Sequence, residues 1–214
     1  QLGTNGGGYF GVNSAHPLEN PTFLTNMVEC WSILIIPMAM VLAFGFYIKR
    51  KKLAYSIFGV MLAAYLVGVV INVSQEMGGN PRIDEMGINQ SGGAMEGKEV
   101  RIGAGSSALW SITTTVTSNG SVNSMHDSTM PLSGMMEMLN MQINTWFGGV
   151  GVGWMNYYTF IIIAVFISGL MVGRTPEFLG KKVEAREMKI ATIVALLHPF
   201  VILVGTALSS YLYA

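Results

Sequence analysis

Two short polar loops of the chain share one order of residue types. Loop A is Thr4-Asn5-Gly6, and loop B is Ser118-Asn119-Gly120. Each is followed by the tetrapeptide Asn-Ser-x-His, at 13–16 and again at 123–126. Glycine permits backbone conformations that turn carbonyl oxygens inward, and rings of such oxygens can replace the water around a cation. Ordinary turns are the alternative, since Asn-Gly pairs are common in turns. The duplication favours a repeated pore element.

The rest of the chain is typical of a membrane protein. Its 214 residues are 51% hydrophobic and only 11% charged, whereas soluble domains carry about 25% charged residues. Three stretches are apolar and long enough to cross a bilayer as helices, with Glu29 as their only charge. These stretches are 27–48, 53–73 and 190–213. Irregular polar loops within such a chain survive only where protein or a watery cavity surrounds them.

A fourth apolar stretch is too long for one straight helix. It covers 128–173 with Glu137 as its only charge, and its middle is glycine-rich. Because glycine costs about 1 kcal/mol relative to alanine inside a helix, the sequence predicts one broken crossing over 131–172. The interrupting glycines are Gly148, Gly149, Gly151 and Gly153.

A shorter segment precedes loop B. Residues 102–117 are rich in Ser, Thr and Gly, and they are too few for a comfortable span. They suit a re-entrant half-helix whose C-terminus points at loop B. Since a helix C-terminus carries about half a negative charge, this arrangement would favour a cation in the loop.

Charge placement predicts the orientation in the membrane. Nine of the twelve Lys and Arg residues fall in two clusters, at 49–52 and at 174–189. Excess Lys and Arg marks cytoplasmic loops, so both polar loops are expected on the outer side. The segment 74–101 lacks that positive excess and is expected to be an ordinary solvated connection.

Other candidate residues have competing explanations. Glu29 and Glu137 are either functional acids within the membrane or interfacial, hydrogen-bonded groups. Asp127 either concentrates cations at the outer mouth or, as we favour, caps the following helix.

Several function classes are disfavoured by composition and motifs. The net charge is zero, so nucleic-acid binding is not indicated. The single cysteine allows no disulfide framework. No phosphate-binding loop, phosphorylation motif or catalytic triad stands out, so we expect no organic cofactor and no ATP hydrolysis by this chain itself. A partner would have to supply it.

Several longer blocks of the chain are distinctive. They are GTNGGGYF at 3–10, NSAHPLENPT at 13–22, MEGKE at 95–99, NSMHD at 123–127, FGGVG at 147–151 and GRTPEFLGKK at 173–182. These blocks resemble the KdpA family of potassium-translocating subunits from bacterial Kdp ATPases, and the resemblance runs along nearly the whole chain.

This resemblance implies a helical membrane protein of four channel-like repeats around one potassium filter, of which the chain is a fragment. Residues 1–48 would end the second repeat, 49–189 would form the third, and 190–214 would begin the fourth. Loops A and B would bind K⁺ through backbone oxygens, with the glycines of 148–153 as a gate beneath them. Family members often have Cys in place of Asn119, a change that a backbone ligand should survive.

The implied function is potassium translocation in a bacterial inner membrane. The implied partners are a P-type ATPase catalytic subunit, small accessory subunits of the Kdp complex, and lipid. The properties of the residues alone are also compatible with a stand-alone potassium channel or an ion-coupled transporter. The family-specific blocks favour the pump. A membrane enzyme or a purely structural subunit is disfavoured by the missing catalytic residues.

Overall fold

The computed structural model describes residues 1–213, and these residues are mostly helical. The predicted helical membrane class is confirmed, with one small antiparallel hairpin added, in which Glu177 pairs with Lys182. The elements are α1 (Phe23–Tyr47), α2 (Lys51–Met77), α3 (Pro81–Glu85), α4 (Ala104–Val116), α5 (Pro131–Ile143), α6 (Val152–Val172), β1 (Glu177–Phe178), β2 (Lys181–Lys182) and α7 (Ala185–Tyr213).

Four helices within residues 1–213 are long and apolar enough to cross a bilayer: α1, α2 with its continuation to Glu85, α6, and α7. The predicted apolar stretches therefore correspond to real helices. Helix α1 begins earlier than predicted, because Thr22 caps it and forms a reciprocal capping box with Thr25. Which ends face the cytoplasm stays a prediction.

The chain divides into two compact units, Gln1–Trp154 and the segment from Met155 onward. In the first unit, α4 packs against α1, α2 and α5. Nearly all of α4 is buried, and Trp110 is fully enclosed beside Cys30 and Ile33 of α1. The predicted short helix before loop B is thus present, and it forms the core of this unit. The second unit contains most of α6, the hairpin, and α7.

The predicted interruption of the fourth apolar stretch is confirmed. Helix α5 ends at Ile143, and Asn144 adopts the left-handed conformation with φ of 44°. Helix α6 starts only at Val152. The break therefore begins at Asn144, before the glycines, because a left-handed residue ends an α-helix.

Two expectations for the connections on either side of α4 were wrong. The segment 74–101 is not simply a solvated connection: α2 runs on to Met77, and the side chains of Glu76 and Lys98 are buried as an ion pair. Pairing makes burial of both charges tolerable. Asp127 does not cap α5, whose N-cap is Met130 with no side-chain cap bond.

Candidate functional site

Loops A and B have matching backbone conformations. The φ angles are 49° at Thr4 and 50° at Ser118, and 83° at Gly6 and 85° at Gly120. The asparagine between them has negative φ in each loop. Positive and negative φ therefore alternate along each loop. This alternation turns successive carbonyl groups toward the same side of the chain, whereas in an extended strand they would point in opposite directions. The two loops are therefore duplicates in structure as well as in sequence.

The two loops also touch. The amide of Gly6 donates to Oδ1 of Asn119 at 3.2 Å. A Cβ atom on Gly6 would lie 2.5 Å from the carbonyl oxygen of Asn119, and one on Gly120 would lie 3.5 Å from the Cα of Gly6. At position 6 only glycine allows this approach, so loop A lies directly against the backbone of loop B.

The carbonyl oxygens of the two loops are free of protein donors. Within residues 1–213, none of the six carbonyls of loops A and B accepts a hydrogen bond. The next carbonyl along the chain differs, since that of Ser121 accepts from Trp110 Nε1 at 2.9 Å and from Thr114 Oγ1 at 2.7 Å. Asn119 is buried, whereas Thr4, Gly6 and Ser118 are half-buried and Asn5 and Gly120 are exposed, so this set of free oxygens can be reached by a ligand that supplies positive charge.

Helix α4 supports loop B directly. The amides of Ser118 and Asn119 donate to the carbonyls of Thr115 and Thr114, at 3.3 and 2.9 Å. Loop B thus begins on the last turn of α4, at the partially negative end of the helix. This negative end increases the attraction of loop B for a cation.

Helix α2 fixes α4 in turn by polar contacts. Asn72 Nδ2 donates to the carbonyl of Ala108 at 3.0 Å, and the hydroxyls of Tyr65 and Thr113 lie 3.0 Å apart. All of these side chains are buried or nearly so. Buried polar contacts of this kind favour one position for the helix.

The glycine run 148–153 lies against the same loops. The amide of Val150 donates to Thr4 Oγ1 at 3.1 Å, and that of Gly148 donates to the carbonyl of Val116 at 2.8 Å. Ser118 Oγ donates to Asn144 Oδ1 at 2.5 Å. The helix break therefore meets loop A through Thr4 and loop B through Ser118.

The glycines of this run are not equivalent. Gly148 and Gly151 have φ of 58° and 84°. A Cβ on Gly148 or Gly153 would collide with the backbone of the break itself, and one on Gly151 would lie 2.9 Å from Met40 Cε. Gly149 has room, with Thr4 Oγ1 as the nearest atom at 3.7 Å.

Comparison with known proteins identifies the family. The model of the family described as "Potassium-transporting ATPase A subunit" matches residues 1–214. The chain belongs to the KdpA family. Relatives named "Potassium-transporting ATPase potassium-binding subunit" include those of Bacteroides thetaiotaomicron, 91% identical over 213 residues, and Phocaeicola vulgatus, 87% identical over 213 residues. The Rhodospirillum centenum relative is 50% identical over 211 residues.

The matches cover nearly all of this chain but only part of each relative. The first two matches include 100% of this chain but 38% of the relative, and the third includes 98% and 37%. The chain therefore spans less than two fifths of the length of the curated KdpA proteins it matches. It is a multi-pass membrane segment of that family.

The two Asn-Ser-x-His segments of this KdpA chain run side by side. Asn13 and Val122 form a parallel bridge, in which Ser14 N donates to Val122 O at 2.9 Å. Asn123 Nδ2 also donates to Asn26 Oδ1 in α1, at 2.9 Å. The sequence predicted a shared motif, and the structure adds that its two copies are neighbours.

Within residues 1–213, no hydrogen bond joins Glu29 or Glu137 to loop A or loop B. Glu29 accepts from Gln1 Nε2 at 3.2 Å. Glu137 lies 3.7 Å from Nδ1 of His126. Burial lowers the pKa of His126 below its ordinary value, and the nearby Lys98 lowers it further. Gln1 thus donates to Glu29, and Thr129 Oγ1 donates to Glu137 Oε2 at 3.5 Å, which fits the structural alternative.

Sequence reasoning missed three contributors. Gln1 connects Glu29 to loop B's end, because its Oε1 accepts from Ser121 Oγ at 2.8 Å. The Glu76–Lys98 pair and the guanidinium contacts of Arg101 were also missed. The conspicuous MEGKE block at 95–99 was the available signal, but its partners are distant in sequence.

Proposed function

We propose that loops A and B are two walls of a potassium-selective filter in the membrane subunit of an ATP-driven potassium uptake pump. The observation that carries this proposal is the set of six free carbonyl oxygens, presented by two touching loops of matching conformation. Thr4, Asn5, Gly6, Ser118, Asn119 and Gly120 bind K⁺ through these oxygens, which replace its hydration shell.

We extend this proposal to the rest of the ion pathway. Residues 1–48 end one repeat, 49–189 form the next, and 190–214 begin a third, so that the remaining filter walls come from the longer protein. Gly148, Gly149, Gly151 and Gly153 form a gate loop against the inner end of the filter. Contacts of the glycine run with Thr4 and Val116 support this placement.

The names of the relatives support the pump. They are called potassium-binding subunits of a potassium-transporting ATPase. In this proposal the chain passes K⁺ to a P-type ATPase subunit, which hydrolyses ATP, within a complex that has small accessory subunits. The complex resides in a bacterial inner membrane, and the chain itself is not catalytic.

The filter is tested in the full-length protein with Gly120→Ala. The matched control is Gly87→Ala, because Gly87 also has positive φ, at 75°, but no atom lies within 4 Å of its added Cβ. We expect the first variant to lose potassium affinity and potassium-over-sodium preference while the control retains both. Equal affinities and preferences in both variants would refute the filter.

The pump is tested separately by purification. Potassium-stimulated ATP hydrolysis should copurify with the full-length protein. If the protein binds potassium selectively but no ATPase copurifies with it, the pump proposal is wrong. A stand-alone channel or an ion-coupled transporter would then be favoured.

A further inference from the structure

One outer segment contacts the region after both loops. Residues 95–101, Met-Glu-Gly-Lys-Glu-Val-Arg, are called the outer brace below. On one side, Lys98 forms an antiparallel bridge with Ser124, and Met125 N donates to the carbonyl of Gly97 at 2.8 Å. The brace therefore lies directly along the segment that follows loop B.

The contact with that segment is close. A Cβ on Gly97 would lie 2.8 Å from the Cβ of Ser128 and 2.9 Å from that of Met125. Gly97 also has φ of 64°. The brace thus packs against the segment that follows loop B only because Gly97 has no side chain.

Glu76 anchors the brace to the helices. Lys98 Nζ lies 2.7 Å from Glu76 Oε2, and the two side chains are 1% and 0% exposed. The other carboxylate oxygen, Oε1, accepts from the amide of Met130 at 2.8 Å. The carbonyl of Glu76 accepts from Ala94 N at 2.7 Å. One residue at the end of α2 therefore holds both the brace and the start of α5.

Arg101 joins the brace to the other repeat. Its guanidinium donates to the carbonyl oxygens of Asn20 and Ala15. Both acceptors follow loop A in the chain, and Ala15 belongs to the first Asn-Ser-x-His segment, at 13–16. The planar guanidinium can hold two acceptors in fixed geometry, which a lysine cannot do.

From these contacts we infer that Lys98 and Arg101 are positioning residues for ion selectivity, which hold the tails of loops A and B at a fixed separation. The argument rests on the proposed filter function. A carbonyl filter discriminates ions through the position and number of its oxygens. The loops touch through contacts such as Gly6 to Asn119, and the segments behind them are joined by the Asn13–Val122 bridge. The spacing of the loops therefore also depends on where the brace holds these paired segments.

The experiment uses the full-length protein in its complex. The variants are Arg101→Gln, Arg101→Lys and the neutral pair Lys98→Met with Glu76→Gln, which leaves no buried charge alone. Arg82→Gln is the control, since Arg82 is exposed in the same outer connection. The half-saturating potassium concentration, the potassium-over-sodium preference and the maximal rate are measured for each.

We expect Arg101→Gln and the neutral pair to raise the half-saturating potassium concentration about tenfold and to reduce the preference, with the maximal rate within about twofold. Arg101→Lys should recover part of the affinity, and Arg82→Gln should match the parent. Amide hydrogen exchange should quicken at Gly6 and Ser121 in the affected variants, because both amides donate to Asn119 Oδ1.

Two results would overturn the inference. One is unchanged affinity and preference in folded brace variants. The other is a loss of folded protein that accounts for the whole effect, with affinity and preference retained by the remaining fraction. Gly120→Ala, measured in parallel, separates the two proposals: if it changes selectivity and the brace variants do not, only the brace fails. If Gly120→Ala also changes nothing, the filter itself fails.

Discussion

The backbone amide of Gly6 donates to Oδ1 of Asn119 at 3.2 Å, across more than half of the chain. The same oxygen accepts from Ser121 N at 3.2 Å. A side chain that was expected to be dispensable beside a backbone ligand thus connects the two loops. Asn119 serves loop A as well as its own loop.

Removal of this side chain should weaken potassium binding without abolishing it. Asn119→Ala keeps the carbonyl but loses two acceptor contacts, each contributing about 0.5–1.5 kcal/mol. We expect the half-saturating potassium concentration of the full-length protein to rise about tenfold. The control is Asn89→Ala, which removes a similar contact to Ser91 N in an exposed connection. An unchanged concentration would show that the loops keep their spacing without Asn119.

The two loop glycines should differ in sensitivity. Both have positive φ, so alanine at either costs about 1–2 kcal/mol in backbone strain. Gly6→Ala also drives its Cβ against the carbonyl of Asn119, whereas Gly120→Ala meets nothing closer than 3.5 Å. We expect Gly6→Ala to lose more thermal stability and more potassium affinity than Gly120→Ala. The reverse order would contradict the contact between the loops.

Gly149 offers a test of the gate with little risk to folding. Its φ is not positive, and an added methyl group would sit 3.7 Å from Thr4 Oγ1 and 3.9 Å from the carbonyl of Thr117. Gly149→Ala should leave potassium affinity near the parent value and change the maximal transport rate several-fold. Gly59→Ala, an open helical position, is the control. If both variants transport at the parent rate, the glycine run is not a gate.

His126 should make stability depend on pH. Its pKa is lowered by burial and then by Lys98, while Glu137 at 3.7 Å and the adjacent Asp127 are the acids nearby. Because the folded pKa lies below the ordinary value of about 6.5, protons bind the unfolded chain more tightly. The contribution of His126 to stability is therefore complete above pH 6.5 and is lost as the pH drops from there toward the folded pKa.

This dependence can be measured by thermal unfolding across that pH range. His126→Gln should remove the part of the slope due to this residue. The neutral pair Lys98→Met with Glu76→Gln should raise the pKa of His126 as read by NMR titration, because it removes the nearby positive charge. A His126 that titrates at or above its ordinary pKa would rule out this source of pH dependence.

The sequence by itself determined the membrane class, the helices and the duplicated loops. Apolar stretches of 27–48 and 53–73 have few alternatives to helices in a bilayer, since every backbone group must be satisfied internally. The free-energy cost of glycine inside a helix was enough to predict the break before α6. The glycines of loops A and B indicated backbone conformations that other residues avoid, and Gly6 and Gly120 have positive φ.

Only the tertiary structure decided what holds the loops in place. Asn119 contacts Gly6, Glu76 pairs with Lys98, and Arg101 reaches Ala15, all across separations that carry no local signal. Helix propensity and apolar periodicity are properties of residues that are close together in one helix or strand. They therefore do not predict contacts between distant segments. Burial of a charge depends on a partner brought by folding, so the sequence placed Lys98 in a solvated connection and the fold placed it in the core.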